Sequence, residues 1–311
     1  MILCIGATPA IQRVMVFRKL ALDAVNRAGM TFDGIAGKSV NVAKVLKTLG
    51  EQPTAVGFLG GDCGEYLRKQ LQSRSIEMDF VTVQPGTRQC VTVLDEANKT
   101  VTELVEESQP VAGEDYDALF AIVQKQVPAC SAVIMSGTLT PGAPADFYFR
   151  CAQKAHAAGT LAVIDAQGIS LHEALRATPD VVKPNRSELA ATVGRELADE
   201  QSVMSAMREL NERGAKRVIV TAGTTPTLAF DGRSFWRARV PQVSMVNPIG
   251  SGDAFTAGLV WRLLRGEDLG EACRWASATG AANTLTMLAG EVNYGDVERI
   301  VKQVVVEELI N

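Results

Sequence analysis

The chain has 311 residues and a formal net charge of −4 at pH 7. Hydrophobic residues make up 47% of the sequence, which is enough for one large core and excludes a disordered or fibrous protein. No stretch clusters Lys and Arg with aromatic residues, so a nucleic-acid-binding surface is not expected.

The cysteines and the apolar runs both indicate a cytoplasmic protein. Six cysteines are scattered along the chain without a CxxC pair or the spacing of metal ligands, and we interpret them as reduced thiols. The N-terminus lacks a positively charged leader, and Gly6 and Pro9 interrupt its apolar residues. Because no apolar run reaches the ~18 residues that span a bilayer, no membrane partner is expected.

A small β lid is predicted from two parts of the N-terminal half, at about residues 12–35 and 87–108. Within the second part, the apolar residues of 90–94 and 100–104 flank a polar turn, which is typical of short paired strands. Between the two parts, a helix is predicted to begin at Ser39 as its N-cap and to end at Gly50. Its apolar stripe consists of Val42, Val45, Leu46 and Leu49.

After residue 110, apolar runs of strand length alternate with segments of helical period. The strand-like runs are 133–135, 161–164 and 217–220, and their continuous hydrophobicity indicates strands buried on both faces. Strands that alternate with helices predict a doubly wound, mostly parallel α/β sheet. We expect one domain over residues 1–311, with the lid above the carboxyl edge of the sheet, where α/β folds bind ligands.

The turn Gly250-Ser251-Gly252-Asp253 comes directly before an apolar helical stripe. Two glycines at a helix start leave backbone N–H groups facing open space, and the helix dipole adds positive potential, so the turn can bind an anion. Asp253 beside this site can accept the proton of a hydroxyl while the amides stabilise a phosphoryl group in transfer. Alone, the same residues are also typical of a simple helix cap. A dinucleotide fingerprint is excluded because Phe255 stands where its third glycine is required.

The longer string from Asn247 to Gly258 resembles the C-terminal signature of the ribokinase-like (PfkB) carbohydrate kinases. Further blocks resemble this family in the family's order, over essentially the whole chain: Pro9-Ala10, Gly37–Ala43, Gly57–Asp62, Ser136–Gly142 and Lys183–Leu189. The resemblance is closest to the branch of 1-phosphofructokinase and tagatose-6-phosphate kinase, through Gly37-Lys38, Thr87–Cys90 and Lys183-Pro184-Asn185. It implies a ribokinase-like fold, a kinase that depends on ATP and Mg²⁺, and a homodimer formed through the lid.

The resemblance also implies roles for individual residues. It makes Asp253 the catalytic base, assisted by Gly250, Ser251 and Gly252. It implies magnesium at Glu188, through water, and at Asn185, although the spacing of this pair is also that of a helix cap. The residues implied in ATP binding are Lys183, Asn185, Thr221, Gly223 and Asn283. The residues implied in sugar binding are Gln12, Arg27, Gly37, Lys38, Asn41, Arg88, Cys90 and Ser136.

Two of the sugar-binding residues, and one difference from the family's sequence pattern, bear on the identity of the substrate. Lys38 and Arg88 are the cations expected to bind a phosphate already present on the sugar. The alternative interpretation is that each is an ordinary solvated charge on the surface. Gly37-Lys38-Ser39 is not a P-loop, because Phe32 stands where that motif requires glycine. The family's first block ends in an Asp that holds sugar hydroxyls, whereas this chain has Gln12, so the sugar's identity is open.

We therefore predict ATP-dependent phosphorylation of a phosphorylated ketohexose of the fructose 1-phosphate or tagatose 6-phosphate type. One alternative is a kinase of an unphosphorylated sugar or nucleoside, for which Lys38 and Arg88 would be incidental. Another is a sugar-sensing protein on a degenerate kinase scaffold, which Gln12 favours. The retention of Asp253 with both glycines argues against lost catalysis.

Overall fold

The computed structural model describes residues 1–309, which contain two β-sheets and ten α-helices. The strands are β1 (Ile2–Gly6), β2 (Ala10–Phe17), β3 (Met30–Ala36), β4 (Pro53–Leu59), β5 (Glu77–Thr82), β6 (Arg88–Asp95), β7 (Thr100–Val105), β8 (Ala132–Ser136), β9 (Leu161–Asp165), β10 (Val181–Val182), β11 (Val218–Ala222), β12 (Thr225–Phe230), β13 (Phe235–Arg239) and β14 (Val305–Leu309). The helices are α1 (Lys38–Thr48), α2 (Gly61–Ser73), α3 (Gly113–Gln126), α4 (Phe147–Ala157), α5 (Gly168–Leu175), α6 (Arg186–Val193), α7 (Glu200–Glu212), α8 (Ser251–Leu263), α9 (Leu269–Asn283) and α10 (Tyr294–Val301).

The large sheet has ten strands in the order β14-β13-β12-β11-β10-β9-β8-β1-β4-β5. The strands from β11 to β5 are parallel to one another, whereas β12, β13 and β14 continue the sheet in antiparallel pairs. Every residue of β1, β4 and β8 is buried, because helices cover both faces of a parallel sheet. The predicted doubly wound, mostly parallel α/β sheet is confirmed.

Helices form a layer on each face of the large sheet, and alternate strand residues enter the two layers. In β1, Ile2 and Cys4 pack into one layer, while Leu3 and Ile5 pack into the other. The first layer includes residues of α1, α2, α8, α9 and α10, and the second includes residues of α3 to α7. The longest helix, α9, has 15 residues. Within residues 1–309, no helix has the length and apolar character needed to cross a membrane.

The small sheet, called the lid here, has four strands in the order β3-β2-β6-β7. β2 pairs with β3 in antiparallel fashion and with β6 in parallel, and β6 and β7 are antiparallel. The far part of its inner face packs Val14, Val16 and Leu94 against Met287 and Leu288, in the loop that follows α9. On this side, the lid is therefore attached by apolar contacts to the loop that follows α9.

The start of α1 differs from the prediction. The helix begins at Lys38, and its cap is Gly37, which makes no side-chain hydrogen bond to the helix. Gly37 has a φ of 102°, a left-handed conformation that favours glycine. Ser39 is 2% exposed, and a Cβ on Gly6 would lie 2.3 Å from its Oγ atom. The predicted Ser39 N-cap is wrong, because the side chain of Ser39 is packed inside the first turn of the helix.

Candidate active site

A cleft of about 400 Å³ lies between the lid and the carboxyl ends of the parallel strands. The large sheet contributes Asp165 at the end of β9, Lys183 after β10, and Thr221 near the end of β11. This is the edge at which open α/β sheets bind ligands. The predicted site residues that line the cleft are Gly37, Lys38, Asn41, Arg88, Cys90, Lys183, Asn185, Glu188, Thr221, Gly250, Ser251, Gly252 and Asp253.

Asp253 lines the cleft from the first turn of α8 and is only 7% exposed. Asn41 donates a hydrogen bond from Nδ2 to Oδ2 of Asp253 at 2.8 Å. Burial raises the pKa of Asp253 to about 6, against the opposing effect of Lys38. A carboxyl group with this pKa is ionised at pH 7 and close enough to neutrality to accept a proton, which suits a general base.

The turn before Asp253 depends on glycine at position 250. Gly250 caps α8 with a φ of 84°, in the left-handed region. A Cβ at this position would lie 2.7 Å from the backbone nitrogen of Gly290. Both the conformation and the close approach of the neighbouring loop therefore require glycine.

The first turn of α8 also has free backbone N–H groups on its cleft side. Ser251 and Ala254 donate their amide hydrogens to carbonyl groups of the preceding turn, whereas within residues 1–309 the amides of Gly252 and Asp253 have no acceptor. A Cβ on Gly252 would have one neighbour within 4 Å, Lys183 Nζ at 3.7 Å. The two free amides and the positive end of the helix dipole form an anion site with open space in front of it.

Asp165 is the centre of an ion-pair cluster in the cleft. Its Oδ1 atom lies 2.9 Å from Lys38 Nζ, and its Oδ2 atom lies 3.0 Å from Lys183 Nζ. Thr256 donates a third hydrogen bond to Oδ2 at 3.1 Å. Burial alone would raise the pKa of Asp165, but Lys183 and Lys38 outweigh it and lower the pKa to about 2. The carboxylate stays ionised and fixes both ammonium groups beside the anion site.

This cluster changes the interpretation of Lys38. The sequence predicts Lys38 as a ligand of the sugar phosphate, but the structure pairs it with Asp165 and places its Nζ atom 3.6 Å from Glu188 Oε1. Although burial lowers the pKa of Lys38, these carboxylates raise it above its usual value. Its charge is therefore already balanced. Sequence reasoning missed Asp165 as a site residue, although its place at the carboxyl end of a predicted strand was an available signal.

Asn185 and Glu188 form the capping box of α6. The Asn185 side chain accepts from the Glu188 amide at 2.8 Å, and Glu188 Oε2 accepts from the Asn185 amide at 2.8 Å. Glu188 Oε1 remains on the cleft side, facing Lys38. Residues 1–309 contain no group of three or more His, Cys, Asp or Glu side chains that could hold a metal ion directly. One carboxylate oxygen outside the capping box, 3.6 Å from Lys38 Nζ, suits a Mg²⁺ ion that keeps its water ligands better than an ion bound directly by the protein.

The lid contributes Arg88 and Cys90 to the cleft. Arg88 Nη2 donates to the carbonyl oxygen of Thr8 at 3.2 Å, and Nη1 donates to that of Glu106 at 3.3 Å. These backbone acceptors orient the guanidinium without neutralising it. Arg88 is thus the lid cation whose charge is available to an anionic ligand.

Gln12 does not line the cleft, in contrast to the prediction. It is 1% exposed, and its Nε2 atom donates to Thr92 Oγ1 at 3.1 Å. Its Oε1 atom accepts from the backbone nitrogen of Ala289 at 3.0 Å. Each end of the amide therefore makes one hydrogen bond, and the two bonds join the lid to the loop after α9. The side chain is buried there and lies outside the residues that line the cleft.

Asn283 is also placed differently from the prediction. It is fully buried; its Nδ2 atom donates to Ile249 O at 3.0 Å, and its Oδ1 atom accepts from Gly290 N at 2.9 Å. Nearby, Lys44 donates to Ala289 O at 2.6 Å, and burial lowers the pKa of Lys44 to about 8. Asn283 therefore supports the anion turn from behind and lies outside the residues that line the cleft.

Three further predicted residues lie outside the residues that line the cleft. Ser136 is buried at the end of β8, and Gly223 lies in the exposed turn after β11. Arg27 lies in the exposed loop between β2 and β3, close to Met30, which pairs with Val16 at the far end of the lid from the cleft. The length of β2 places Arg27 roughly 20 Å from the cleft end of this strand.

Comparison with known proteins agrees with this geometry. A family model described as pfkB family carbohydrate kinase matches residues 1–293. The chain belongs to the pfkB family of carbohydrate kinases. The predicted family is confirmed, and the protein is a sugar kinase. Kinases of the pfkB family use ATP as the phosphoryl donor.

Solved structures place this pfkB-family kinase among the phosphofructokinase-like and ribokinase-like folds. Phosphofructokinase-2 from Escherichia coli, in complex with fructose-6-phosphate, is 26% identical, with 97% of this chain and 98% of that chain covered and a TM-score of 0.86. A possible 1-phosphofructokinase from Thermotoga maritima is 22% identical, with 99% of both chains covered and a TM-score of 0.91. A ribokinase from Arabidopsis thaliana, complexed with ribose and ATP, is 19% identical, with 97% and 98% covered and a TM-score of 0.76. The last two likenesses show the fold alone.

Proposed function

We propose that this pfkB-family kinase transfers the γ-phosphoryl group of ATP to a hydroxyl group of a phosphorylated ketohexose, of the fructose 1-phosphate or tagatose 6-phosphate type. The observation that carries the proposal is the pairing of a buried carboxyl group with two free backbone amides in the first turn of α8. The carboxyl group can take the hydroxyl proton, and the amides can hold the charge of the phosphoryl group.

In the proposed reaction, Asp253 accepts the proton of the attacking hydroxyl as its oxygen bonds to the γ-phosphorus and ADP leaves. Asn41 orients the carboxylate through its 2.8 Å hydrogen bond. The amides of Gly252 and Asp253 donate to the phosphoryl oxygens. Burial supports this role, because a carboxylate removed from water is a stronger base than a solvated one.

The two lysines of the Asp165 cluster lie beside this centre. Lys183 is the nearest neighbour of Gly252 on the cleft side, at 3.7 Å from the position that a Cβ would take. We propose that Lys183 donates to phosphate oxygens of ATP and that Lys38 balances charge between Asp165 and Asp253. Asp165 keeps both ammonium groups in place before ATP arrives, which lowers the reorganisation needed for transfer.

Magnesium belongs to the same proposal. Glu188 Oε1 is the carboxylate oxygen left free by the capping box, and it would hold hydrated Mg²⁺, with Asn185 next to it. Mg²⁺ held there would supply positive charge that offsets the charge of the ATP phosphates. The role of Glu188 is to hold the hydrated ion next to Lys38 without displacing its water ligands.

Arg88 supports a phosphorylated acceptor over a free sugar or a nucleoside. Among the lid cations, Arg88 lines the cleft, and within residues 1–309 its guanidinium forms no salt bridge with a carboxylate, although the charge of Glu103 acts on it. A planar guanidinium suits a phosphate group. Lys38 no longer supports this choice, because Asp165 and Glu188 already surround it. The rival kinase of unphosphorylated substrates therefore differs from the proposal in what Arg88 does.

The test is ADP release with Mg-ATP across fructose 1-phosphate, tagatose 6-phosphate, fructose 6-phosphate, free fructose and adenosine. We expect activity with a sugar phosphate, a loss of roughly 10²-fold or more in kcat for Asp253→Asn, and a raised KM for the sugar phosphate in Arg88→Met. Arg13→Met is the matched control, because Arg13 pairs with Asp33 on the lid. Activity confined to fructose or adenosine, unchanged by Arg88→Met, would establish the rival.

A homodimer formed through the lid remains part of the proposal. Large apolar side chains are exposed on the lid and its loop, including Leu22 at 92%, Val25 at 82% and Leu104 at 57%. Exposed apolar groups close together on one element favour association with another surface. We expect a dimer in light scattering, and Leu22→Asp with Val25→Asp should convert it to a monomer. A monomeric unaltered protein at micromolar concentration would contradict this.

The proposed compartment is the cytoplasm. All six cysteines are free, and Cys4, Cys90, Cys151 and Cys273 are buried. Burial raises the pKa of the buried thiols, which keeps them protonated and unreactive. Free thiols suit a reducing compartment. Cell fractionation with detection of the native protein tests this proposal.

A further inference from the structure

The lid covers the cleft unevenly. On its β2 and β3 side, the loop after α9 fills the space: Gln12 accepts a hydrogen bond from the amide of Ala289, and a Cβ on Gly34 would lie 3.1 Å from Leu288. On its β6 and β7 side, Cys90, Glu103 and Val105 line the open cleft. At the cleft end of β2 and β3 only the small side chains of Ala10 and Ala36 line the cleft, so a ligand under the lid meets its polar groups on β6 and β7 and does not meet the residue at position 12.

The pairing of β6 with β7 explains which side chains face this open space. Cys90 pairs with Val105, and Thr92 pairs with Glu103. Because side chains alternate along a strand, these four residues share one face of the lid. Thr92 is fully buried and accepts the hydrogen bond of Gln12. Glu103 is thus the carboxyl group that the inner face of the lid presents to the cleft.

Glu103 differs from the other carboxyl groups of the cleft in having no partner. Asp165 is paired with two lysines, Asp253 accepts from Asn41, and Glu188 caps its own helix. Within residues 1–309, Glu103 forms no hydrogen bond or salt bridge, and the charge that acts on it is that of Arg88 on the neighbouring strand. A free carboxylate accepts hydrogen bonds at two oxygens and donates none. Its natural ligand in a sugar site is a pair of hydroxyl groups.

We propose that Glu103 binds hydroxyl groups of the acceptor sugar and determines which ketohexose is accepted. Gln12 does not have this role, because it lies outside the cleft. This inference rests on the proposed function, since it requires a polyol in the cleft. Arg88, on the neighbouring strand, binds the phosphate of the same substrate, so that one sugar phosphate spans a cation and an anion of the lid. A substrate that lacks the bound hydroxyl leaves Glu103 desolvated and unpaired, which is the strongest form of discrimination.

The experiment compares Glu103→Gln with the unaltered enzyme on the sugar phosphate that gives the highest kcat/KM among fructose 1-phosphate, tagatose 6-phosphate and fructose 6-phosphate, and on its monodeoxy analogues. We expect Glu103→Gln to lower kcat/KM for the parent sugar roughly 10- to 100-fold, mostly through KM, with KM for ATP unchanged. The unaltered enzyme should penalise one deoxy analogue by a similar factor, and the variant should lose most of that penalty. Glu96→Gln, at the β6–β7 turn, is the matched control.

The outcomes separate the two proposals. If Glu103→Gln behaves as Glu96→Gln does, while the unaltered enzyme phosphorylates a sugar phosphate, Glu103 is only a solvated edge residue and the inference fails alone. The inference also fails alone if every deoxy analogue lowers kcat/KM by the same factor in both enzymes. If the unaltered enzyme phosphorylates none of the three sugar phosphates, the proposed function fails and the role of Glu103 fails with it. Melting temperatures within about 2 °C of one another exclude misfolding as the cause.

Discussion

At pH 7, replacing Asp253 by Asn should make this kinase more stable while it lowers kcat roughly 10²-fold or more. Asn keeps the shape of the side chain and an oxygen that can accept the hydrogen bond of Asn41. The pKa of Asp253 rises from 3.8 to about 6 in the folded protein, chiefly through burial. Stability from a carboxyl group with a raised pKa is present below its unfolded value and is lost as the pH rises through its folded value. Here that loss falls between pH 3.8 and about pH 6.

The displacement from 3.8 to about 6 corresponds to about 3 kcal/mol. The difference in unfolding free energy between Asp253→Asn and the unaltered protein should therefore grow by roughly that amount from pH 4 to pH 7. Urea unfolding of both proteins at pH 4, 5.5 and 7, without nucleotide, measures it. A difference in unfolding free energy that stays constant to within about 0.5 kcal/mol across this range would refute the conclusion that burial raises the pKa of Asp253.

A contrasting variant is available in the same cleft. The pKa of Asp165 is lowered to about 2, so that its contribution to stability is present above pH 3.8 and is lost as the pH falls toward 2. Asp165→Asn should thus destabilise the protein at pH 7, by roughly 3–5 kcal/mol, because it leaves the buried Lys183 ammonium unpaired and Lys38 with Glu188 alone. Opposite signs for two neighbouring aspartates at one pH distinguish local electrostatics from a general effect of the substitution.

Three further predictions follow from the same geometry. The profile of kcat/KM against pH should fall about tenfold per pH unit below about pH 6, where Asp253 becomes protonated; a flat profile down to pH 5 would contradict the assignment of the base. Gly252→Ala should fold normally, because its methyl group meets only the Lys183 ammonium, but it should lose activity because that methyl group enters the anion site. Gly250→Ala should instead lower the free energy of unfolding by more than about 2 kcal/mol, through its φ of 84° and its contact with the next loop. Thermal melts and ADP assays of both variants check this. Lys183→Met should raise KM for ATP. It should also destabilise the protein above pH 4, because the ionised Asp165 has then lost one of its two lysine partners. A difference in melting temperature from the unaltered protein that is the same at pH 3 and pH 7 would contradict this.

The centre of the parallel sheet was predictable because several of its strands are short apolar runs. Residues 133–135 and 161–164 lie within β8 and β9, as the sequence predicts, and runs as short as these favour a strand over a buried helix. The turn at Gly250 was predictable for a related reason. Its conformation is local, and a glycine pair followed by an apolar helical stripe has few structural solutions.

The side-chain partners were not predictable, because they join distant parts of the chain. Lys38 and Asp165 are 127 residues apart, and Gln12 and Ala289 are 277 residues apart. Without knowledge of these contacts, the sequence shows Lys38 only as a cation near a glycine turn, and Gln12 only as a polar residue near the predicted ligand-binding edge of the sheet. The Asn185–Glu188 spacing was compatible with a helix cap or a magnesium ligand, and the structure shows that the cap uses only one of the two Glu188 oxygens.

Asp165 also adjusts the base, although it does not lie in the reacting turn. Lys38 and Lys183 both lower the pKa of Asp253, while burial and the charge of Asp165 raise it. Without Asp165, the two ammonium groups would act on Asp253 unopposed, and the base would become weaker as its pKa falls. The acid limb of kcat/KM should accordingly move from about pH 6 to lower pH in Asp165→Asn, with a lower plateau. A limb that stays in place or moves upward would mean that burial alone sets the pKa of Asp253, and the ion-pair cluster would then serve only to position the lysines.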